Sequence, residues 1–183
     1  MQFHVQPLSL DAFGEPLHAF DAMTVSVCNL RPTSVGSVRL ASREFGRNAP
    51  IIELNYLTTA ADQHVAAQSV RVARHIMAQP AMAAFAPIEV QPGAAFETQS
   101  ELVRAAGLIG TTIFHPVGTC KMGAPDNPLA VVDWRLRARG IDKLRVCDAS
   151  IMPTIVSGNT CSPTLMVAER TAAWMAQRLD GQQ

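Results

Sequence analysis

The last third of the chain constrains its fold most, because short extended segments alternate there with turn-forming residues before one long helical pattern. Residues 115–123 form a turn-rich segment after a β-prone run, residues 144–148 are extended, and residues 157–160 are polar. A helical pattern then begins at Ser162 and Pro163, which suit a cap and a first turn. In this order a histidine, an aspartate at a strand end and an asparagine at a helix start form a candidate site for chemistry.

Length and composition are compatible with one domain or two small lobes. The chain has 183 residues, of which 48% are hydrophobic and 16% charged, so it can bury a sizeable core. Fifteen basic and fifteen acidic residues give a net charge of zero, without a basic block or an acidic tail. Nucleic acid is therefore not expected as a partner.

The sequence carries no signal for export or membrane insertion. No apolar run approaches the roughly 20 residues that cross a bilayer, and residues 1–7 lack the basic and apolar regions of a signal peptide. Membrane contact is therefore not indicated. The four cysteines form no C-x-x-C pair, which predicts reduced thiols in a cytoplasmic protein; they are Cys28, Cys120, Cys147 and Cys161.

Alternating polar and apolar positions predict strands in the first half of the chain. Residues 23–30 and 37–40 alternate, and residues 3–7 do so more weakly. The short polar loop between residues 23–30 and residues 37–40 predicts that these two segments form an antiparallel pair. In the last third, residues 131–133 and 144–148 are predicted to be short strands.

Three segments have helical signals. Residues 62–79 have a helical period that Pro80 ends. Ser100 is expected to cap a second helix, which Gly107 or Gly110 stops. The last helix has one apolar stripe, formed by Leu165, Ala168, Ala172, Met175 and Leu179.

His115 and Asn159 are the residues best suited to chemistry. An imidazole in a turn can point into a cleft, and histidine is the side chain that most readily accepts a proton near neutral pH. The amide of Asn159 can donate and accept hydrogen bonds to a substrate oxygen. Taken alone, a histidine bonded to nearby backbone and an asparagine that serves as a loop or cap residue are the commoner cases for His115 and Asn159. Cys120 follows His115 by five residues, but two ligands without a second pair do not predict a metal site.

Together these segments resemble the C-terminal signature of the glucose–methanol–choline (GMC) oxidoreductases, which oxidise alcohols with FAD. The resemblance rests on residues 115–123, 144–153 and 157–160. Residues 30–40 also resemble the hairpin of that family's substrate domain, and residues 50–57 the segment that follows it. The similarity therefore extends over nearly the whole chain, from about residue 3 to residue 178.

The resemblance implies roles for individual residues. His115 would remove the proton of the substrate hydroxyl, and Asn159 would be its catalytic partner. The helix after Asn159 would face the flavin with its N-terminus, which favours negative charge. The flavin contacts that the resemblance implies come from Asp148, Ala149, Asn159, Thr160 and Pro163.

The implied fold is α+β. Residues 1–124 would belong to an antiparallel-sheet substrate domain with helices, and residues 125–183 would supply the C-terminal strand and helix of an FAD-binding α/β domain. The N-terminal part of that domain is expected to be absent, because the chain contains no G-x-G-x-x-G turn. With that sheet outside the chain, the apolar stripe of the last helix predicts self-association.

The implied function is oxidation of a primary alcohol to an aldehyde by hydride transfer to FAD, as part of a complete enzyme. The alternative is a catalytically incomplete fragment or binding lobe that requires a separate N-terminal FAD-binding chain. In either case the FAD site of this chain is expected to be incomplete and the isolated chain inactive.

Overall fold

The computed structural model describes residues 1–12, 14–42, 44, 46 and 49–180, with side chains described as far as residue 177. The chain divides into two compact units, Met1–Ile113 (unit 1) and Phe114–Gln183 (unit 2). The domain boundary predicted after residue 124 separates a substrate domain from a cofactor domain. The division into compact units does not test it, so it stays a prediction.

Unit 1 contains two small antiparallel sheets, each made of two strands. The strands are β1 (Gln2–Gln6), β2 (Thr24–Cys28), β3 (Ser37–Arg39) and β4 (Ile51–Glu53). β1 pairs with β2, and β3 pairs with β4. The strands predicted at residues 23–30 and 37–40 therefore exist, but the prediction that they pair with each other is wrong.

A buried carboxylate explains why β2 and β3 do not form a hairpin. Asp62 lies in the first turn of α1 (Ala60–Met77) and is 5% exposed. Its carboxylate accepts hydrogen bonds from the backbone N–H groups of Thr33 at 2.9 Å and Ser34 at 2.7 Å, and from the side-chain amide of Asn29 at 3.1 Å. The loop between the two strands is thus bound to the start of a helix, and it cannot fold as a tight turn.

The helices of unit 1 follow their sequence signals closely. α1 was predicted over residues 62–79 and spans Ala60–Met77. The second helix, α2 (Gln99–Ile109), ends at Gly110, which is one of the two glycines predicted to stop it. Its cap is Thr98 and not Ser100, because Thr98 and Glu101 exchange both bonds of a capping box. α2 packs on α1 and buries Leu102 and Ala105.

An arginine on α1 holds the irregular segment that precedes α2. The guanidinium of Arg74 donates to both carboxylate oxygens of Glu89, at 2.8 and 2.9 Å. It also donates to the carbonyl oxygens of Gly93 at 3.0 Å and Phe96 at 2.8 Å. The bidentate pair with Glu89 raises the pKa of Arg74 above its usual value, so this clamp remains charged.

Unit 2 is built mainly from loops that bond to one another. Its core consists of Val132, Leu136 and Ile151. In the described part of this unit, the strands predicted at residues 131–133 and 144–148 are wrong, since only isolated bridges occur, such as the one between Arg137 and Arg145. Single backbone bonds, including Val146 N–H to the Leu136 carbonyl at 3.1 Å, take the place of a continuous ladder.

The helix that ends the described chain, α3 (Cys161–Asp180), was predicted to begin at Ser162 or Pro163 and begins at Cys161. Val167 and Trp174 pack against the core of unit 2. Thr171, which lies between these two residues in the sequence, is buried. Among the described helices, none combines the length and the apolar character needed to cross a membrane.

The predicted apolar stripe of α3 lies away from the core of unit 2. Leu165 is 62% exposed and Met175 is 53% exposed, and Ala168 and Ala172 are exposed as well. The side chain of Leu179 lies outside the described residues. The periodicity therefore identified residues that share one face, but that face is not the one that unit 2 covers.

Candidate active site

The backbone around His115 has a constrained conformation. Phe114 has a positive φ of 62°, which is uncommon for a bulky residue and is concentrated at functional sites. His115 precedes Pro116, and a residue in that position is biased toward extended conformations. The sharp change in backbone direction between Phe114 and Pro116 places the half-buried imidazole at a defined position in unit 2.

Residues 118–123 are anchored to the segment that contains Asp148. Gly118 has a φ of 89°, a conformation that residues with a side chain rarely adopt, so the turn favours glycine. Beyond it, the Cys120 N–H donates to the Ser150 carbonyl at 3.0 Å and the Met122 N–H donates to the Ile151 carbonyl at 2.8 Å. These bonds hold the histidine-bearing segment against residues 150–151.

Asn159 and Thr160 lie directly before α3. The Thr160 carbonyl accepts a bond from the Thr164 N–H at 3.0 Å, so Thr160 occupies the N-cap position of the helix. Ser157 has a positive φ of 62°, which turns the chain two residues before Asn159. Thr160 is 6% exposed, whereas Asn159 is exposed.

The structure brings His115, Asn159 and Thr160 together although 44 residues separate the first two. The amide nitrogen of Asn159 lies 2.7 Å from His115 Nε2. The hydroxyl of Thr160 lies 3.0 Å from His115 Nδ1. Both ring nitrogens are therefore bonded to side chains that the start of α3 positions.

Asp148, Ala149 and Pro163 lie in two different segments of unit 2. Oδ1 of the exposed Asp148 accepts a bond from the Ser150 N–H at 2.8 Å and so caps the short 3₁₀ turn Ala149–Ile151. Pro163 is half-buried in the first turn of α3. The turn at Asp148 is bonded to the His115 segment through the backbone of residues 150 and 151, and the start of α3 is bonded to the imidazole through Asn159 and Thr160.

The cysteines do not form a metal site in the part of the chain that the structure describes. No three His, Cys, Asp or Glu side chains cluster there as they would around a metal ion. Cys120 is half-buried beside the His115 segment, and Cys161 is exposed at the first position of α3. Burial raises the pKa of the Cys28 thiol in unit 1, which keeps it in the unreactive protonated form.

One contact in the site was not predicted from the sequence. Thr160 was expected only as a residue lining a cofactor, but its hydroxyl is bonded to the imidazole of His115. The available signal was that a threonine stands directly before a helix start. That signal ordinarily indicates a cap for the helix's own N–H groups, and it does not reveal a partner 45 residues earlier.

Sequence comparison gives a consistent family match. A family model described as GMC oxidoreductase matches residues 32–168. The mitochondrial choline dehydrogenase of Mus musculus is 41% identical over 172 residues, which cover 94% of this chain and 29% of that protein. An alcohol dehydrogenase [acceptor] of Pseudomonas putida is 37% identical over 98% of this chain and 32% of its own length. The chain thus spans about 30% of the length of these relatives.

Solved structures of similar proteins agree with the sequence match. Pyridoxine 4-oxidase from Mesorbium loti superimposes with a TM-score of 0.77 at 31% identity, over 93% of this chain and 32% of that one. A formate oxidase of Aspergillus oryzae superimposes with a TM-score of 0.79 at 28% identity, over 93% of this chain and 30% of its own.

Proposed function

Because the chain belongs to the GMC oxidoreductase family, we propose that it is part of an enzyme that oxidises a primary alcohol to an aldehyde with FAD. The observation that carries the proposal is the 2.7 Å bond between Asn159 and His115 Nε2, which joins a proton acceptor and an amide at the start of one helix. The names of the similar proteins, which include choline and alcohol dehydrogenases, support an alcohol as the substrate class.

In this proposal the substrate hydroxyl enters between Asn159 and His115. The Asn159 amide then donates its hydrogen bond to the alcohol oxygen in place of His115 Nε2. Nε2 is thereby released to accept the hydroxyl proton, and loss of that proton favours oxidation at the carbinol carbon. The amide bond to the oxygen orients the alcohol and stabilises the negative charge that develops on it.

The residues of unit 2 fit an FAD molecule at several points. We assign its contacts to Asp148, Ala149, Asn159, Thr160 and Pro163. When bound, the flavin supplies a two-electron acceptor for the alcohol carbon. α3 is 20 residues long, and the N-terminus of such a helix favours an anionic group. A Cβ at Gly158 would meet no atom within 4 Å, so there is space beside Asn159.

A buried hydroxyl near Asp148 also suits a polar ligand. The side-chain oxygen of Ser150 is buried and has no hydrogen-bond partner within the described residues. Buried polar groups are nearly always paired, so an unpaired one next to Asp148 and Ala149 supports a ligand in this area. The assignment of residues 125–183 to an FAD-binding domain and of residues 1–124 to a substrate domain is part of the same proposal.

The proposal includes an incomplete FAD site in this chain. The sequence has no G-x-G-x-x-G turn to hold a pyrophosphate, and such a turn would have to come from another segment or another chain. We therefore expect the purified 183-residue chain to lose FAD and to be inactive alone. Stoichiometric flavin that survives gel filtration would contradict this part of the proposal. A cytoplasmic location and self-association through α3 remain predictions from the sequence.

The catalytic role is tested in a flavin-loaded protein in which this chain replaces the matching region of the Pseudomonas putida relative. His115→Ala should slow anaerobic flavin reduction by an alcohol about 10²–10⁴-fold, as expected for loss of a general base, while flavin content stays the same. His64→Ala is the matched control, because His64 is an exposed histidine on α1. Near-normal flavin reduction in the His115 variant would remove this residue from the mechanism.

A further inference from the structure

Within the described part of the chain, the hydroxyl of Thr160 bonds to His115 and not to the first turn of its own helix. A threonine at the N-cap usually accepts a bond from a backbone N–H of its own helix. Here the Thr160 hydroxyl lies 3.0 Å from His115 Nδ1, and among the described contacts it is the carbonyl of Thr160 that takes part in the start of α3. That carbonyl accepts from both the N–H and the hydroxyl of Thr164, at 3.0 and 2.7 Å.

The contacts on the two ring nitrogens determine where the imidazole proton lies. The Asn159 amide nitrogen faces Nε2 at 2.7 Å, and an amide nitrogen only donates hydrogen bonds. With the amide nitrogen on this side, Nε2 accepts the bond, and the arrangement corresponds to an unprotonated Nε2. In a neutral imidazole the proton must then reside on Nδ1, from which it is donated to the Thr160 hydroxyl oxygen.

From this geometry we infer that Thr160 is a positioning residue that keeps His115 in the Nδ1–H tautomer. Its hydroxyl is well suited to that task, because Thr160 is 6% exposed and a β-branched side chain has few rotamers. The tautomer itself is inferred from the contacts of His115. Only its use rests on the proposed function, in which the unprotonated Nε2 accepts the substrate proton. The family resemblance implied Thr160 only as a cofactor contact, whereas this inference gives its hydroxyl a role toward His115.

Direct observation of the tautomer in the ¹⁵N-labelled chain tests this inference. Long-range ¹H–¹⁵N NMR correlations at a pH well above the ordinary imidazole pKa of about 6.5 distinguish a protonated Nδ1 from a protonated Nε2. We expect His115 in the wild-type chain to be protonated on Nδ1. Protonation on Nε2 in the wild type would overturn the inference, whatever the variants do.

Three substitutions distinguish the loss of the Thr160 hydrogen bond from a general effect on folding. Thr160→Val keeps the shape and removes the bond, so the ratio of the Nδ1–H to the Nε2–H form should fall roughly five- to tenfold, as for one net hydrogen bond. Thr160→Ser should retain the wild-type ratio. Thr171→Val is the control. Thr171 is also buried, but its hydroxyl donates to the Val167 carbonyl and not to His115. An unchanged ratio in a folded Thr160→Val chain would refute the role.

A second readout uses the flavin-loaded hybrid. Thr160→Val should lower the rate of flavin reduction about tenfold or less, Thr160→Ser should restore it, and the Val substitution should add no further loss to His115→Ala. An equal further loss in the His115→Ala protein would assign Thr160 a different role. The NMR result does not depend on catalysis, so failure of the proposed function and failure of this inference give different patterns.

Discussion

Unit 1 and unit 2 obtain their order in different ways. The described part of unit 1 contains two α-helices, a 3₁₀ helix over Pro80–Phe85 and two short sheets. Its helix ends carry local caps such as the Thr98–Glu101 pair. The described part of unit 2 has one long helix, one 3₁₀ turn and isolated bridges. Its loops are fixed by bonds between distant residues, for example Met122 with Ile151.

This difference has consequences for where the candidate active site lies. Local sequence signals determine where a helix begins and ends, but they do not bring together side chains that are far apart in the sequence. The loops of unit 2 do so, since the His115 segment is bonded to residues 150–151 and the imidazole to the start of α3. A scaffold of this kind suits functional residues that must converge from several segments.

The largest expected loss of stability in this comparison comes from Asp62 in unit 1. Asp62→Ala removes the acceptor for Asn29, Thr33 and Ser34 and leaves donors unpaired at the start of α1. We expect the unfolding free energy of unit 1 to fall by about 2–4 kcal/mol. Native-state hydrogen exchange of the α1 amides measures this loss.

The control for Asp62 is a carboxylate in an exposed ion pair. Glu53→Ala removes the partner of Arg39, and both of those side chains are more than half exposed, so the loss should stay below about 1 kcal/mol. Equal losses in the two variants would mean that the loop from residue 29 to residue 34 is not held by the buried carboxylate.

The same carboxylate gives unit 1 a pH signature. Burial of Asp62 favours its neutral form, but bonds from the Ser34 hydroxyl and from the backbone of Thr33 and Ser34 outweigh this effect and lower its pKa. A carboxyl group with a lowered folded pKa stabilises fully above its unfolded pKa of about 3.9, and this contribution is lost as the pH falls through the folded pKa. Asp62→Ala should lack this acid-dependent component of stability, whereas Glu53→Ala should retain it.

Gly123 tests the loop packing of unit 2. A Cβ at Gly123 would lie 2.7 Å from the Cβ of Ala130 and 3.0 Å from the side-chain nitrogen of Asn127. Gly123→Ala should therefore destabilise unit 2 by about 1–3 kcal/mol through overpacking. The two tryptophans of the chain, Trp134 and Trp174, both lie in unit 2, so denaturant unfolding followed by tryptophan fluorescence reports on it.

Gly158→Ala is the matched control in the same unit. A Cβ there meets nothing within 4 Å, so the unfolding free energy of unit 2 should change by no more than about 0.5 kcal/mol. If the Gly123 and Gly158 variants unfold at the same denaturant concentration, the loops of unit 2 are looser than their contacts indicate.

The parts of the fold that could be predicted were those with local causes. The helical period located α1, and Gly110 ended α2 as expected. The resemblance of residues 115–123 and 157–160 to one family also implied that Asn159 is the partner of His115. The structure places the two side chains in contact, and their catalytic roles stay a prediction. These inferences needed only local spacing or the resemblance of short motifs.

The rest depended on which partner each segment finds. Alternation marked β2 and β3 as strands, but it could not reveal that Asp62 diverts the loop between them or that β1 and β4 are their neighbours. The stripe that contains Leu165 and Met175 was likewise a true apolar face, yet it is exposed in unit 2. Periodicity groups residues on a face without specifying what covers that face.

In unit 1 a glycine substitution should have the opposite effect on stability. Gly107 lies within α2, and a Cβ there would meet Leu57 at 3.9 Å, an ordinary contact distance. Gly107→Ala should stabilise unit 1 by about 0.5–1 kcal/mol, because alanine loses less backbone entropy in a helix than glycine does. Slower hydrogen exchange of the α2 amides would be the measurement. If this variant is destabilised as Gly123→Ala is expected to be, then packing rather than helix propensity determines order in unit 1 as well, and the contrast between the two units would no longer hold.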